Sequence, residues 1–113
     1  MKFSHIEDGR AKMVDISKKN EVTVLLKGAI DLISDGSEVR ANRTGNAGMT
    51  VGGTGDVLAG LVGALFAGCK SPLEAAACGA FINGAAGDLA FAEFGYGLLA
   101  TDLIDYIPRV MKP

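Results

Sequence analysis

Residues 51–60, VGGTGDVLAG, decide the fold of this chain because they join a glycine loop to an apolar helix. The loop, Gly52 to Asp56, holds three glycines, a threonine and a carboxylate, which cannot form a core. From Val57 to Cys69 the sequence is almost wholly apolar, which predicts a buried helix. The first N–H groups of a helix have no intrahelical partners and carry the positive end of its dipole. This junction therefore predicts a site for an anion, above all for phosphate.

The same loop contains a candidate catalytic group. Gly52, Gly53, Thr54 and Gly55 form the predicted anion loop, because glycine lets a phosphate oxygen approach the backbone closely. Asp56 would repel a phosphate there unless it had a task, such as accepting the proton of an attacking hydroxyl. The plainer alternative is that Asp56 only complements the helix dipole, and a bare G-x-G-D motif leaves both interpretations open.

The composition indicates one small domain rich in closely packed helices. The chain has 113 residues, of which 49% are hydrophobic and 16 are glycine, enough for a core built on small side chains. A net charge of −2, without a basic cluster, argues against a nucleic-acid partner. The longest apolar run, Val57 to Cys69, is too short to cross a bilayer, and the first residues do not resemble a secretory signal. We therefore expect no membrane partner and a cytoplasmic location.

The cysteines and the single histidine do not suggest a metal site. Cys69 and Cys78 lie in apolar surroundings without CxxC spacing, so we expect both to be reduced and buried. His5 is the one histidine in the sequence, and we expect it at the surface. No side-chain metal site is predicted.

Short strands are predicted to precede the glycine loop, after a helix near residues 8–19. Residues 22–26 resemble a strand covered on both faces, ending in Lys27-Gly28. Residues 29–34 and 38–43 predict two further strands joined at Asp35-Gly36, the second of them a half-exposed edge. Residues 42–55 suggest no regular structure, and loops of this length in compact domains are usually functional or disordered. After residue 70, Ser71-Pro72-Leu73-Glu74 predicts a helix start, and Thr101-Asp102 predicts another.

An ordered set of motifs resembles the ADP/ATP-dependent NAD(P)H-hydrate dehydratases, a branch of the ribokinase-like superfamily. The motifs are Leu26-Lys27-Gly28-Ala29, Asn42-x-x-Gly45-Asn46-x-Gly48-Met49, Gly52 to Gly60, Glu74-Ala75-Ala76 and Ala100-x-Asp102-Leu103-Ile104. The resemblance implies an α/β fold, the ribokinase-like three-layer αβα sandwich. It also implies that residues 1–113 are only the C-terminal part of one such domain, with short strands and a hairpin followed by three helices.

The resemblance further implies an activity and roles for individual residues. The family restores NADH and NADPH from their hydrated forms, using ADP or ATP with Mg²⁺, through phosphorylation of the ring hydroxyl and its elimination. By this likeness Asp56 activates the hydroxyl, and Gly55 with its neighbours holds the transferred phosphate. The adenine nucleotide would be lined by Lys27, Gly28, Ala29, Ile30 and Asp31, and the substrate would contact Asp56, Asn42 and Asn46. Family members often carry histidine at the position of Asn83, a departure that we expect to change packing more than chemistry.

Two other functions stay open at this point. One is a ribokinase-like kinase acting on a sugar or vitamin alcohol, with Asp56 as the base. The other is a non-enzymatic nucleotide-binding module in which Asp56 only caps a helix. Under the dehydratase interpretation, we expect the isolated chain to be inactive. We also expect it to form homo-oligomers or to associate with the N-terminal half of the domain, because apolar helix faces would otherwise be exposed.

Overall fold

The structure is a computed structural model that describes residues 3–68 and 71–113, with side chains described from Gly9 onwards. Its main elements, in chain order, are α1 (Phe3–Asn20), β1 (Val24–Leu26), β2 (Asp31–Ser34), β3 (Val39–Asn42), α2 (Thr54–Gly68), α3 (Pro72–Phe94) and α4 (Ala100–Met111). Short 3₁₀ turns occupy Ala47–Met49 and Gly95–Gly97. The predictions for Cys69 and for the side chain of His5 lie outside the described residues.

The three strands form an antiparallel meander with β2 in the centre. The predicted hairpin at Asp35-Gly36 is present: Gly36 has φ +94°, and the carboxylate of Asp35 accepts hydrogen bonds from the backbone N–H groups of Ser37 and Glu38. These two bonds hold the pKa of Asp35 below its usual value. The expectation that residues 22–26 are covered on both faces is wrong. β1 is an edge strand, and Val22 and Leu26 are each 46% exposed, whereas all four residues of β2 are buried.

Helices cover both faces of this small sheet. Ile33 of β2 packs against Leu73, Ala76 and Ala80 of α3. The neighbouring Leu32 faces the other way, as alternation along a strand requires, and approaches Gly9 of α1. The order α1, sheet, α3 is therefore the predicted three-layer αβα arrangement.

The helix after the glycine loop begins earlier and is less buried than expected. α2 starts at Thr54 and not at Val57, and Leu58 is its one buried residue among those described. It packs on α3 where Val62 meets Gly79, at which an added Cβ would lie 2.5 Å from the valine Cγ2. Phe66, near its end, is 52% exposed. The expectation of a buried helix is wrong because a helix that is apolar all round gives no sign of which strip is packed.

One further expectation needs correction on α3. Cys78 is exposed, not buried, because its buried neighbours Ala76, Gly79 and Ala80 lie on other faces of the same helix. The segment Pro72–Gly97 is long and apolar enough to cross a membrane by length and composition alone. Half of its most apolar window is buried in the fold, as in a core helix, so this single segment is weak evidence for membrane insertion.

The buried carboxylate of Asp31 ties the sheet to α3. Its Oδ1 accepts from the backbone N–H of Gly28 (3.2 Å) and lies 3.1 Å from Lys27 Nζ. Its Oδ2 accepts from Asn42 Nδ2 (2.9 Å), which also donates to the carbonyl oxygen of Ala80 on α3 (3.1 Å). One carboxylate thus joins the β1–β2 turn, the end of β3 and α3.

Replacing Asp31 should therefore weaken the fold. We expect Asp31→Ala to lower the free energy of unfolding by roughly 1–3 kcal/mol, because it removes an acceptor from the buried amide of Asn42 and from the part-buried N–H of Gly28. Asp15→Ala is the control, since it removes only an exposed pair with Lys19, for which about 0–1 kcal/mol is expected. Urea denaturation measures both, and equal losses would contradict the role given to Asp31.

A second joint lies where the loop after β3 meets α3. Thr44 packs so closely on Gly84 that an added Cβ would overlap its hydroxyl and would lie 2.6 Å from its carbonyl carbon. We expect Gly84→Ala to destabilise the fold by about 1–3 kcal/mol through overpacking. Gly63→Ala on α2 is the matched control, because nothing lies within 4 Å of its added Cβ. That control should be neutral, or stabilising by up to about 1 kcal/mol through helix propensity. Thermal or urea unfolding of the two variants measures this difference. An unchanged free energy of unfolding for Gly84→Ala would contradict the prediction, because it would show that the loop can move away from α3 without cost.

Candidate functional site

A main cavity of about 630 Å³ lies where four segments meet. These are the β1–β2 turn, the loop after β3, the start of α2 and the middle of α3. The lining residues are Lys27, Gly28, Ala29, Thr44, Gly45, Asn46, Ala47, Met49, Thr50, Thr54, Asn83 and Gly84. The site is therefore built mainly from loops that are held against two helices.

The loop wall of this cavity is fixed by Asp88 on α3. One carboxylate oxygen accepts from the backbone N–H of Gly45 (3.2 Å), and the other accepts from Asn46 Nδ2 (2.8 Å). The same Nδ2 donates to the carbonyl oxygen of Gly87 (3.2 Å). Because both partners are acceptors, the orientation of the Asn46 amide is settled. Its Oδ1 is buried and has no partner among the residues that the structure describes.

Asn42 supports the same wall through buried hydrogen bonds. Its Nδ2 binds Asp31 and Ala80, as described above, and its Oδ1 accepts from both the N–H (3.4 Å) and the hydroxyl (3.0 Å) of Thr44. The side chain is buried and does not line the cavity. Its hydrogen-bonding capacity is used within the protein, so the structure gives it a positioning role. Direct substrate contact by Asn42 stays a prediction.

The start of α2 borders the cavity through Thr54. The first bond of the helix runs from the N–H of Val57 to the carbonyl oxygen of Gly53 (3.1 Å), so the preceding N–H groups lie ahead of the helical ladder. The Thr54 hydroxyl donates back to the carbonyl oxygen of Met49 (3.0 Å). Nothing lies within 4 Å of a Cβ built on Gly52 or Gly55. The helix end is thus open to a ligand on its glycine side.

Gly53 has a different task. Its φ of +99° is in the region that favours glycine, and a Cβ there would lie 2.9 Å from Cβ of Ala100 at the start of α4. This glycine lets the loop turn tightly against α4 and so sets the position of the α2 start.

Asp56 lies outside the main cavity. It is exposed and lines a shallower depression of about 390 Å³ between α2 and α4, together with Val57, Gly60, Leu61, Ile104 and Ile107. Thr54 and Asp56 are two residues apart on one helix, so their side chains leave the axis about 200° apart. The predicted catalytic carboxylate and the cavity therefore flank the same helix start on different sides.

The predicted site residues consequently divide into two groups. The cavity brings together Lys27, Gly28, Ala29, Asn46 and Thr54. The residues that do not line it are Ile30, Asp31, Asn42, Gly52, Gly53, Gly55 and Asp56. Of these, Asp31 and Asn42 hold the cavity wall, and the glycines and Asp56 belong to the adjoining α2 start. The assigned binding and catalytic roles remain predictions.

The sequence did not identify the contribution of α3 to the site. Asn83 lines the cavity, is 1% exposed, and its Oδ1 lacks a hydrogen-bond partner in the described structure. An asparagine within a run of alanines and glycines was the signal that could have been used, because a buried amide needs partners. Asp88, five residues later, is a second polar residue in this run, and it could have indicated where the loop is held.

Residues 3–68 and 71–113 contain no group of three or more metal-ligating side chains placed to hold an ion. Lys27 brings a positive charge to the cavity lining, and its side chain is half exposed and paired with Asp31. The described site therefore offers an ammonium group, a helix start and neutral amides to a ligand. These groups suit a phosphorylated compound that also has uncharged polar parts.

Comparison with known proteins identifies the family of this chain. A family model described as NAD(P)H-hydrate dehydratase matches residues 2–109. The chain is 48% identical over 107 residues to the ADP-dependent (S)-NAD(P)H-hydrate dehydratase of Cenarchaeum symbiosum, covering 94% of this chain and 37% of the relative. It is 48% identical over 113 residues to the bifunctional NAD(P)H-hydrate repair enzyme Nnr of Methanothermobacter thermautotrophicus, covering 100% of this chain and 22% of the relative.

A solved structure agrees with these relatives. The ADP/ATP-dependent NAD(P)H-hydrate dehydratase of Bacillus subtilis, co-crystallised with ATP/Mg²⁺, superposes with a TM-score of 0.84 at 28% identity, covering 94% of this chain and 39% of that one. This likeness confirms the predicted ribokinase-like fold. The chain spans well under half the length of each of these proteins. On this evidence the chain belongs to the NAD(P)H-hydrate dehydratase family.

Proposed function

We propose that this chain is the C-terminal part of one ribokinase-like domain that dehydrates hydrated NADH and NADPH, with ADP as the phosphoryl source. The observation that carries the proposal is the position of Thr54. This residue begins a helix whose glycine side is open, and it also lines the cavity that contains Lys27. A single bound nucleotide can therefore contact the β1–β2 turn and place its terminal phosphate at the helix start.

The nucleotide is assigned to the wall formed by Lys27, Gly28 and Ala29. The ammonium group of Lys27 suits the phosphates, and the small residues leave room for the base and ribose. Ile30 and Asp31 act through the turn, since Asp31 binds both Lys27 and the N–H of Gly28. ADP is favoured over ATP because the relative from Cenarchaeum symbiosum is named ADP-dependent.

Mg²⁺ fits this site only as a companion of the phosphates. The described residues do not supply a cluster of three ligating side chains, and Mg²⁺ in nucleotide sites usually takes one or two carboxylates with several phosphate oxygens and waters. When bound, the ion would neutralise phosphate charge. Orientation of the phosphate would still come from the N–H groups near Gly55 and from Lys27.

Asp56 is assigned to the hydroxyl group of the hydrated ring. The hydroxyl oxygen attacks the terminal phosphorus of ADP as its proton passes to the carboxylate, and AMP leaves. The C–O bond to the transferred group then breaks, inorganic phosphate departs, and the neighbouring ring carbon loses a proton to solvent, which restores the double bond of the dihydropyridine. Because Asp56 and the main cavity flank the helix start on different sides, the substrate must lie across the first turn of α2. Asn46 is then placed to contact the part of the substrate that reaches into the cavity.

Exposed apolar side chains suggest how the site is closed. Phe66, Phe81 and Ile104 are each more than half exposed, and Ile104 lines the depression beside Asp56. We propose that the N-terminal half of the domain, or a second copy, covers such side chains, including Ile104, and excludes water from the reaction. The cytoplasmic location expected from the sequence stays a prediction.

The 113-residue chain by itself should therefore show no turnover. Purified chain mixed with hydrated NADH, ADP and Mg²⁺ should not regain the absorbance of the reduced nicotinamide, because Asp56 lies in an open depression. Full-length enzyme from a relative is the positive control. A rise in absorbance with the chain alone would overturn the need for a covering part.

A chimera tests the proposed chemistry directly. We replace the matching 107 residues of the Cenarchaeum symbiosum dehydratase with this chain, and expect ADP-driven restoration of NADH. Introducing Asp56→Asn should lower kcat by roughly 10²- to 10⁴-fold, as for loss of a general base, with substrate affinity largely kept. Asp105→Asn is the matched control, since it removes an exposed carboxylate of α4, and it should leave kcat unchanged.

The same assay separates the alternative functions. A small-molecule kinase would phosphorylate a plain alcohol and would leave hydrated NADH unrepaired. A non-enzymatic module would give a chimera that binds nucleotide, with no dependence of turnover on Asp56. Either result would remove the dehydratase proposal.

A further inference from the structure

The small sheet has two outer edges, and their chemistry differs. β1 forms one edge and β3 forms the other, because the strand order is β1-β2-β3. On β3, the guanidinium of Arg40 pairs with the carboxylates of Glu38 (3.6 Å) and of Glu74 on α3 (2.8 Å). Native sheets protect their free edges with charged side chains of this kind. β3 therefore has the character of a permanent outer edge.

β1 does not have this protection. Its three residues, Val24 to Leu26, carry no charge, and Leu26 is 46% exposed. The charge that follows the strand, on Lys27, is paired with Asp31 of the neighbouring β2. Among the residues that the structure describes, β1 pairs with β2 alone. An apolar strand edge whose backbone groups are unpaired is a template for a further strand.

The path of α1 shows which way a further strand would run. The hydroxyl of Ser17, near the end of α1, donates to the carbonyl oxygen of Ser34, which lies opposite the first residue of β1. Earlier on α1, a Cβ built on Gly9 would lie 3.8 Å from Cδ2 of Leu26, the last residue of β1. α1 therefore runs antiparallel to β1 and joins it through residues 21–23. In a β-α-β crossover of this kind, the strand before the helix is parallel to the strand after it.

We propose that a strand from the N-terminal part of the domain adds to the free edge of β1 and runs parallel to it. β2 already occupies the other side of β1, and elements that are consecutive along a chain usually lie side by side. The relatives have enough chain for such a strand, because this chain spans well under half of their length. The inference rests on the proposed function, in which an N-terminal part completes the domain.

The added strand would also bring a further segment to the main cavity. Parallel strands place their carboxyl ends on the same side of a sheet, and open α/β sheets bind their ligands there. The carboxyl end of β1 is followed by Lys27, Gly28 and Ala29, which line the cavity. The segment after the added strand therefore lies beside this turn. It forms a further wall of the nucleotide site.

Hydrogen exchange measured by NMR on the Cenarchaeum symbiosum chimera tests the added strand without any turnover. In a strand with one neighbour, every second N–H points away from that neighbour and exchanges readily with solvent. In the isolated 113-residue chain, we expect such fast amides in both β1 and β3. In the chimera, the outward amides of β1 should exchange roughly 100-fold more slowly or less, as in the interior of a sheet. Those of β3 should stay fast, and they give an internal reference in the same sample.

A matched pair of substitutions tests the same edge through stability. Leu26 and Ala41 lie in one cross-strand row, on either side of Leu32, and both are exposed. Leu26→Lys should lower the Tm of the chimera by about 5 °C or more beyond its effect on the isolated chain, because the added strand covers this position and would bury a charge. Ala41→Lys, at the opposite edge, should have the same small effect on both proteins.

Each result supports or overturns the added strand. Slow exchange at β1 with fast exchange at β3 in the chimera supports it. Fast exchange at β1, slow exchange at β3 instead, or equal effects of Leu26→Lys on chimera and chain would overturn it. Slow exchange at β1 in the isolated chain that is lost on dilution would show that a second copy takes this edge, which would also overturn it.

The proposed function is tested separately. A chimera with a protected β1 edge that does not restore NADH would remove the dehydratase proposal and leave the added strand. A chimera that restores NADH while the outward amides of β1 exchange fast would remove the added strand and leave the dehydratase proposal.

Discussion

The close approach of the loop after β3 to the glycines of α3 is the contact on which the rest of the site depends. Thr44 lies against Gly84, and Met49 lies against Gly87, at distances that leave no room for a Cβ. This contact brings Asn46 within hydrogen-bonding distance of Asp88 and aligns Met49 to receive the Thr54 hydroxyl. Small residues on α3 are therefore the reason that a long polar loop can be ordered at all, and the start of α2 is positioned through that loop.

Much of this could be predicted from local signals in the sequence. The Asp35-Gly36 hairpin, the Ser71-Pro72 helix start and the glycine loop before α2 each depend on a few adjacent residues, and each was located to within a few positions. Burial could not be predicted in the same way. α2 is apolar on every side, and Cys78 lies among small residues, so neither segment shows which face is packed. Which face is packed depends on where the neighbouring elements lie in the fold.

The site shows the same division. Lys27, Asn46 and Thr54 could be placed from motifs, because each lies in a segment with a recognisable pattern. The supporting role of Asn42 could not be predicted from a motif. Its four hydrogen bonds involve Asp31, Thr44 and Ala80, which are brought together only by the sheet and α3. Asn83 was visible as a polar interruption of α3. Its place in the cavity required the three-dimensional fold.

The polar groups around the cavity are divided between the attraction of a ligand and the support of the wall. Lys27 and the start of α2 bring positive charge to the cavity, which favours an anionic group such as phosphate. Asp31, Asn42 and Asp88 use their hydrogen bonds to hold the β1–β2 turn, the loop after β3 and α3 together. The two roles meet at Lys27, which lines the cavity and pairs with the buried carboxylate of Asp31. The position of the charge offered to a ligand therefore depends on the same hydrogen bonds that shape the wall.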